Sequence, residues 1–251
     1  MNTGRKSAIL KELRERIQNL ERLEGPDRAP QRALGFGIPA LDNLWPERGL
    51  PLGALHEACG FTPAGFAAAT AFVASIAGRL NKPVLWCTTR TELYGPGLAQ
   101  VGLPSTQLLV VRARSDKDVL AVMEESLRHA AIGGVIGEIP RLDLTSSRRL
   151  QLAAEAGGSV AFALRRPRKQ VSPVPLAAAS RWVVSAAPSA PHRIPQAGRA
   201  RWKIELLRSR SGHTGQWIVD VPDAQGYLHL SSPLADGTEV APLGAGLRAA
   251  G

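Results

Sequence analysis

Gly60 and Gly65 stand five residues apart and are followed directly by Phe66 and Ala67. That offset is the one by which a loop of the form G-x-x-x-x-G-K-[ST] grips phosphate. Its glycines let backbone N–H groups face the ligand, its Lys neutralises the terminal phosphate charge, and its hydroxyl holds Mg²⁺. Here Phe66 stands in the Lys position and Ala67 in the hydroxyl position. Phosphoryl transfer depends on positioning and charge stabilisation, so losing the cation and the metal ligand removes most of what a protein supplies to it. The loop is therefore read as degenerate, with no cofactor, and the chain as a non-enzyme.

No other constellation supplies a reaction. His56, His129, His192, His213 and His229 have no ligand spacing with Cys, Asp or Glu, which argues against a metal site. There is no G-x-S-x-G elbow, and Ser159 falls in an expected strand. Cys59 and Cys87 lack C-x-x-C spacing and are expected to be buried small hydrophobes.

Charge points to a partner instead. The net charge is +10, and residues 141–210 hold 14 Lys and Arg against Asp143, Glu155 and Glu205, so the whole excess sits in that segment. Such a localised surplus suits DNA or RNA, whose condensed counterions are released as phosphates are neutralised. A solvated basic face that only keeps the protein soluble is the plainer alternative.

These residues need elements to hold them. Leu10, Leu13, Ile17 and Leu20 form an apolar stripe on an expected helix over 6–24, ended by Gly25-Pro26. The stripe docks on the chain's own core, on a second copy or on a partner, because a lone helix of this length is marginal in water. From Pro83 onward, apolar runs alternate with helical patterns as βα units and a parallel sheet require. The expected strands are Val84–Cys87, Leu108–Arg112, Gly134–Glu138 and Ser159–Leu164, with a helix capped by Asp116 and another from Thr145 to Ala156, ended by Gly157 and Gly158. Three antiparallel-type strands follow at Arg181–Ala186, Arg201–Leu207 and Gln216–Val221. Trp182, Trp202 and Trp217 in these strands are read as core, with stacking on unpaired bases as the alternative for exposed rings. Trp45 is placed to seal the approach to the core. No apolar stretch is long enough to span a bilayer and no basic n-region opens the chain, so a cytoplasmic protein is expected. The expected division is an N-terminal helix and linker over 1–28, a core over 29–221 and a partly disordered tail over 222–251.

Two resemblances sharpen this reading. The segments Gly37-Ile38-Pro39-Ala40-Leu41-Asp42 and Gly49-Leu50-Pro51-Leu52-Gly53-Ala54-Leu55-His56-Glu57-Ala58-Cys59-Gly60 resemble the lead into the RecA recombinase core, an α/β fold with a mostly parallel central sheet. The resemblance implies that the next strand ends in a water-activating Glu, yet Val84-Leu85-Trp86-Cys87-Thr88-Thr89 ends in threonines and Glu92 comes three residues late. Glu138 stands where a metal-assisting Asp is implied. It implies further that Arg148 and Arg149 lie by a first DNA loop, that Arg165, Arg166, Arg168 and Lys169 begin a second, and that Arg201, Lys203, Arg208 and Arg210 belong to a strand ending in a basic pair. These ten are the DNA-binding candidates. In such filaments an N-terminal helix docks on the next subunit, which makes Leu10, Leu13, Ile17 and Leu20 candidates for self-association.

The runs Leu50–Glu57, Val84–Cys87, Leu93-Tyr94-Gly95-Pro96-Gly97-Leu98, Ser147–Glu155 and Ala200–Arg208 are similar to the ImuA family of SOS-induced mutagenesis proteins, related to the division inhibitor SulA. That resemblance implies a non-catalytic partner of ImuB, a Y-family-like protein, and of an error-prone C-family DNA polymerase in translesion synthesis, with DNA contacted and no membrane. A protein–protein module such as a division inhibitor is the alternative, with a DNA-dependent ATPase carrying a variant loop behind it.

Overall fold

A computed structural model describes residues 33–90, 93–166, 176–189 and 200–231. The parallel strands that periodicity picked out are present, within a residue or two of the expected ends. The short β1 (Ala33–Leu34) pairs with β2 (Leu50–Pro51), and between them lies one turn of helix, α1 (Pro39–Asp42). The Asp42 carboxylate accepts from the Phe36 and Gly37 amides at 2.5 and 3.1 Å, which ties that turn back onto the segment before it.

Among the described residues the central sheet has nine strands. In chain order they are β3 (Leu55–Cys59), β4 (Val84–Thr88), β5 (Leu108–Arg112), β6 (Gly134–Glu138), β7 (Val160–Arg165), β8 (Ser180–Ala187), β9 (Arg201–Ser209), β10 (Gly215–Asp220) and β11 (His229–Leu230). Their spatial order is β11-β10-β9-β8-β3-β7-β6-β4-β5, parallel from β8 to β5 and antiparallel from β8 to β11. This is an α/β fold with a mixed sheet, consistent with a RecA-like superfamily member. Leu207 has no partner at the β8–β9 register shift, where Arg181 faces Arg208 and Trp182 faces Leu206, and it is exposed as bulge residues often are.

Helices cover both faces. One face carries α2 (Pro63–Gly78) and α3 (Gly95–Gln100) over Trp86, Phe162, Trp182, Val184, Trp202 and Ile204. The other carries α4 (Asp116–Leu127) and α5 (Leu144–Gly157) over Val135, Ala161 and Ala163, with Met123, Leu127 and Leu150 facing inward. Trp45 is buried with Phe36, Phe72 and Trp182, their ring centroids 5.5–6.4 Å apart, and Trp182 and Trp202 are in the core as expected. Trp217 is half-buried against the same cluster.

The helix ends follow local chemistry. Ser115, not Asp116, caps α4, its hydroxyl accepting from the Asp118 amide at 3.2 Å, while Asp116 is the first helical residue. Asp143 caps α5, accepting from the Ser146 amide at 2.7 Å, and Gly158 ends it in the left-handed region at φ +67°. Part of the expected tail belongs to the sheet: Leu228 is buried, β11 pairs with β10, and Arg79 lies 4.7 Å from the Tyr227 ring centroid. The stripe Leu10, Leu13, Ile17 and Leu20, and residues 232–251, lie outside the described residues. Among the described residues no helix is long and apolar enough to cross a membrane.

A buried polar chain links β8 and β3 to β2. Trp182 Nε1–H donates to Ser180 Oγ at 2.8 Å, Ser180 meets His56 Nδ1 at 2.7 Å, and His56 Nε2 meets the Pro51 carbonyl at 2.9 Å. A neutral imidazole fits this chain, with Nδ1 accepting and Nε2–H donating. Burial holds the His56 pKa down at about 4. Above about pH 6.5 the ring is neutral in both folded and unfolded chains. As pH falls toward about 4 the unfolded chain takes up a proton that the folded chain refuses, so stability drops by about 3 kcal/mol across that window. Urea unfolding of the wild type and of His56→Asn at pH 7 and pH 4.5 checks this: the acid loss is larger in the wild type, and equal losses would refute it.

Candidate functional site

The β3–α2 turn is where the phosphate-gripping spacing lies. Thr62 takes extended backbone angles and caps α2, and Pro63, which has no N–H to satisfy, begins the helix. The Thr62 hydroxyl accepts from the Gly65 amide at 2.9 Å and its carbonyl accepts from the Phe66 amide at 2.8 Å. These amides, which a phosphate cradle would present to an anion, are held by Thr62. Gly60 lies against the Gly65–Phe66 peptide so closely that a Cβ on it would fall 2.2 Å from the Gly65 carbonyl carbon. The five-residue offset thus survives as a packed helix start.

Ala67 is exposed at this first turn and contributes no hydroxyl. Phe66 is half-buried, with the Arg166 guanidinium 5.8 Å from its ring centroid, a cation–π distance. Glu138, in the metal-assisting position, accepts from the buried Trp86 indole N–H at 3.0 Å. Thr89 lines the same region, and Glu92 lies outside the described residues. Among the described residues no group of three or more His, Cys, Asp and Glu is arranged to hold a metal ion.

Phe66, Arg90, Glu138 and Arg166 border two adjoining cavities, of about 590 and 330 Å³, at the carboxyl ends of β4, β6 and β7. Open α/β sheets place their ligand crevices at this end. Sequence reasoning gave no role to Arg90 or Tyr94. Their signal was position, since Arg90 comes two residues after the end of β4 and Tyr94 stands at the N-cap of α3, just before Gly95-Pro96-Gly97.

The DNA-binding candidates divide by what their cations already touch. Arg165 is withdrawn from the surface: with Arg181 it flanks the fully buried Glu57, and each guanidinium is paired with one carboxylate oxygen. This network lies across β7, β3 and β8. Burial first, then the Glu57 carboxylate, pushes the Cys59 thiol up to about 12, against the opposing pull of Arg165 and Arg181. Burial alone does the same to Cys87. Both cysteines are buried hydrophobes, as read from the sequence.

Arg201 pairs with Asp220 at 3.2 Å across the β9–β10 register and Lys203 with Glu205 at 3.1 Å along β9. Arg208 donates to the Leu176 carbonyl at 2.8 Å, Arg210 lies 4.0 Å from Glu155, and Arg149 pairs with Glu124 at 2.5 Å. Arg148 and Arg166 are exposed and have no carboxylate partner among the described residues. Arg168 and Lys169 lie outside the described residues. The structure therefore scatters the basic candidates: several are held by acids or carbonyls, and the free cations sit on α5 and beside the cleft.

No protein-family model matches the chain. Two curated relatives do: Protein ImuA of Caulobacter vibrioides strain NA1000 / CB15N, and Protein ImuA of strain ATCC 19089 / CIP 103742 / CB 15. Each is 36% identical over 245 residues, a match covering 90% of this chain and 99% of the relative. Identity of this level along nearly the full length of both proteins places the chain in the ImuA family.

Proposed function

We propose that this protein is a non-catalytic, RecA-like accessory factor in SOS-induced translesion DNA synthesis and mutagenesis. It bridges an ImuB-like Y-family protein and an error-prone C-family DNA polymerase, and it contacts single-stranded DNA through free cations that include Arg148 and Arg166. The observation that carries the reading is the near full-length match to ImuA proteins. The β3–α2 turn agrees with it, because Phe66, Ala67 and the Thr62 cap stand where the cation, the metal hydroxyl and the open amides of an ATPase would be. Arg168 and Lys169 are further DNA candidates in this reading, and Leu10, Leu13, Ile17 and Leu20 are candidates for partner binding or self-association.

The test has two arms. Tagged protein recovered from DNA-damaged cells retains both partners after nuclease treatment, and purified protein binds labelled single-stranded DNA with a salt-dependent affinity. Arg148→Ala combined with Arg166→Ala flattens the slope of log K against log salt by about 1.4, two single-strand phosphate contacts' worth. Arg201→Ala with Lys203→Ala changes it little, since those cations face Asp220 and Glu205. Tight ATP binding with DNA-stimulated hydrolysis would overturn the reading. Partner capture without salt-sensitive DNA binding would favour the protein–protein module.

A further inference from the structure

The cleft vacated by the phosphate-loop chemistry is still furnished for a ligand. The Arg90 and Arg166 guanidinia border both cavities, and neither has a carboxylate partner among the described residues. Phe66 borders both cavities as well, its ring centroid 5.8 Å from the Arg166 guanidinium. At one end Tyr94 is 71% exposed and sits over Gly97, where a Cβ would come within 2.9 Å of its ring, so this large aromatic is held at the rim with most of its surface in water. Leu98 supplies apolar lining on that side. Glu138 is the acid common to both cavities, Asp116 bordering the larger one alone, and the Glu138 bond to Trp86 uses only Oε1.

We infer that this cleft binds an unpaired nucleotide segment of single-stranded DNA, with bases against Phe66 and Tyr94, phosphates on Arg90 and Arg166, and a base-edge donor on Glu138 Oε2. The inference rests on the DNA-contacting reading above and gives it a location. Aromatic faces interleaved with cations are how single strands are held without sequence readout, each base offering a π-face and each link a charge. The acid discriminates between ligand classes. A run of anionic side chains would meet Glu138 with repulsion, whereas a nucleotide brings a negative charge and an N–H donor within one unit. The shape favours a strand over a free nucleotide, since two cavities share one cationic border and leave room for more than a single unit. A triphosphate finds neither lysine nor open amides, because Phe66 and the Thr62 cap hold those places.

Photocrosslinking of the full-length protein to an oligonucleotide carrying 5-iododeoxycytidine, with mass spectrometry of the adducts, tests the location. The expected adducts are on Phe66 or Tyr94. In fluorescence anisotropy with a labelled cytidine-rich oligonucleotide, Tyr94→Ala weakens binding about five- to tenfold, and Arg90→Ala both weakens it and lowers the salt slope. Both residues are exposed, so neither change threatens folding, and thermal melting verifies it. Oligonucleotide binding that keeps its affinity in Tyr94→Ala and crosslinks only elsewhere, such as on α5, overturns the inference and leaves the DNA-contacting reading standing. No binding to single-stranded DNA defeats both. Competition by deoxycytidine monophosphate or ATP at the oligonucleotide's own affinity makes this a free-nucleotide site and overturns the strand. Loss of partner capture in Tyr94→Ala with unchanged DNA affinity assigns the cleft to a protein ligand and overturns it as well.

Discussion

Glu57→Ala should lower the free energy of unfolding by about 3–5 kcal/mol, the cost of removing one partner from a buried ion pair. Glu57 is fully buried in β3, and its two oxygens are shared by Arg165 at the end of β7 and Arg181 near the start of β8. Without the carboxylate, Arg165 stays largely buried, and its Nε already has no hydrogen-bond partner among the described residues. Desolvating such a cation is what makes the loss large, whereas the pair itself adds little over well-packed apolar groups. The same reasoning gives a rescue. Replacing Glu57, Arg165 and Arg181 together by Met or Leu should recover most of the loss, as it removes the charges along with their partner. Urea unfolding followed by near-ultraviolet circular dichroism measures both variants. A loss below about 1 kcal/mol in Glu57→Ala would mean that water reaches the network and screens it as it screens a surface pair.

This network also shows why the site was only partly legible in the sequence. Strands β4 to β7 could be read because their short apolar runs sit between turn residues and helical patterns, and Leu108–Arg112 and Gly134–Glu138 are found with the expected ends. Helix α2 offered no such signal. It is rich in alanine and buried on most of its surface, so its apolar residues follow no stripe. The two-residue strands β1, β2 and β11 are too short to carry a period. The charge surplus of residues 141–210 was visible, but its pairing depended on the fold. Arg165 meets an acid 108 residues away, Arg201 finds Asp220 only through the β9–β10 register, and Arg90 joins Arg166 because β4 and β7 end on the same side of the sheet. Phe66 and Ala67 could be read as missing chemistry from their types alone. That the offset glycines pack on each other, with Thr62 closing the amides, required the turn itself.

That turn carries the second large effect. Gly60→Ala should destabilise the protein by about 3 kcal/mol, the upper end of the usual overpacking cost. The added methyl would lie 2.2 Å from the Gly65 carbonyl carbon and 2.3 Å from the Gly65 oxygen and the Phe66 nitrogen. All three are main-chain atoms fixed by the Thr62 cap and by the first turn of α2, so no flexible side chain can yield. Gly65→Ala meets the Thr62 hydroxyl and the Val184 carbonyl at 3.1 Å and Gly60 Cα at an ordinary 3.7 Å, and gains up to about 1 kcal/mol of helix propensity, so its net change should be small. A phosphate cradle predicts a different outcome. There both glycines serve the approach of the ligand, and magnesium–ATP would stabilise the wild type in proportion to its occupancy and lose that effect in either variant. Thermal melting of the wild type, Gly60→Ala and Gly65→Ala, with and without magnesium–ATP, separates the two accounts. A steep loss confined to Gly60→Ala and indifferent to nucleotide assigns the glycine pair to packing at the head of α2. Nucleotide-dependent stabilisation that both variants abolish would return it to phosphate.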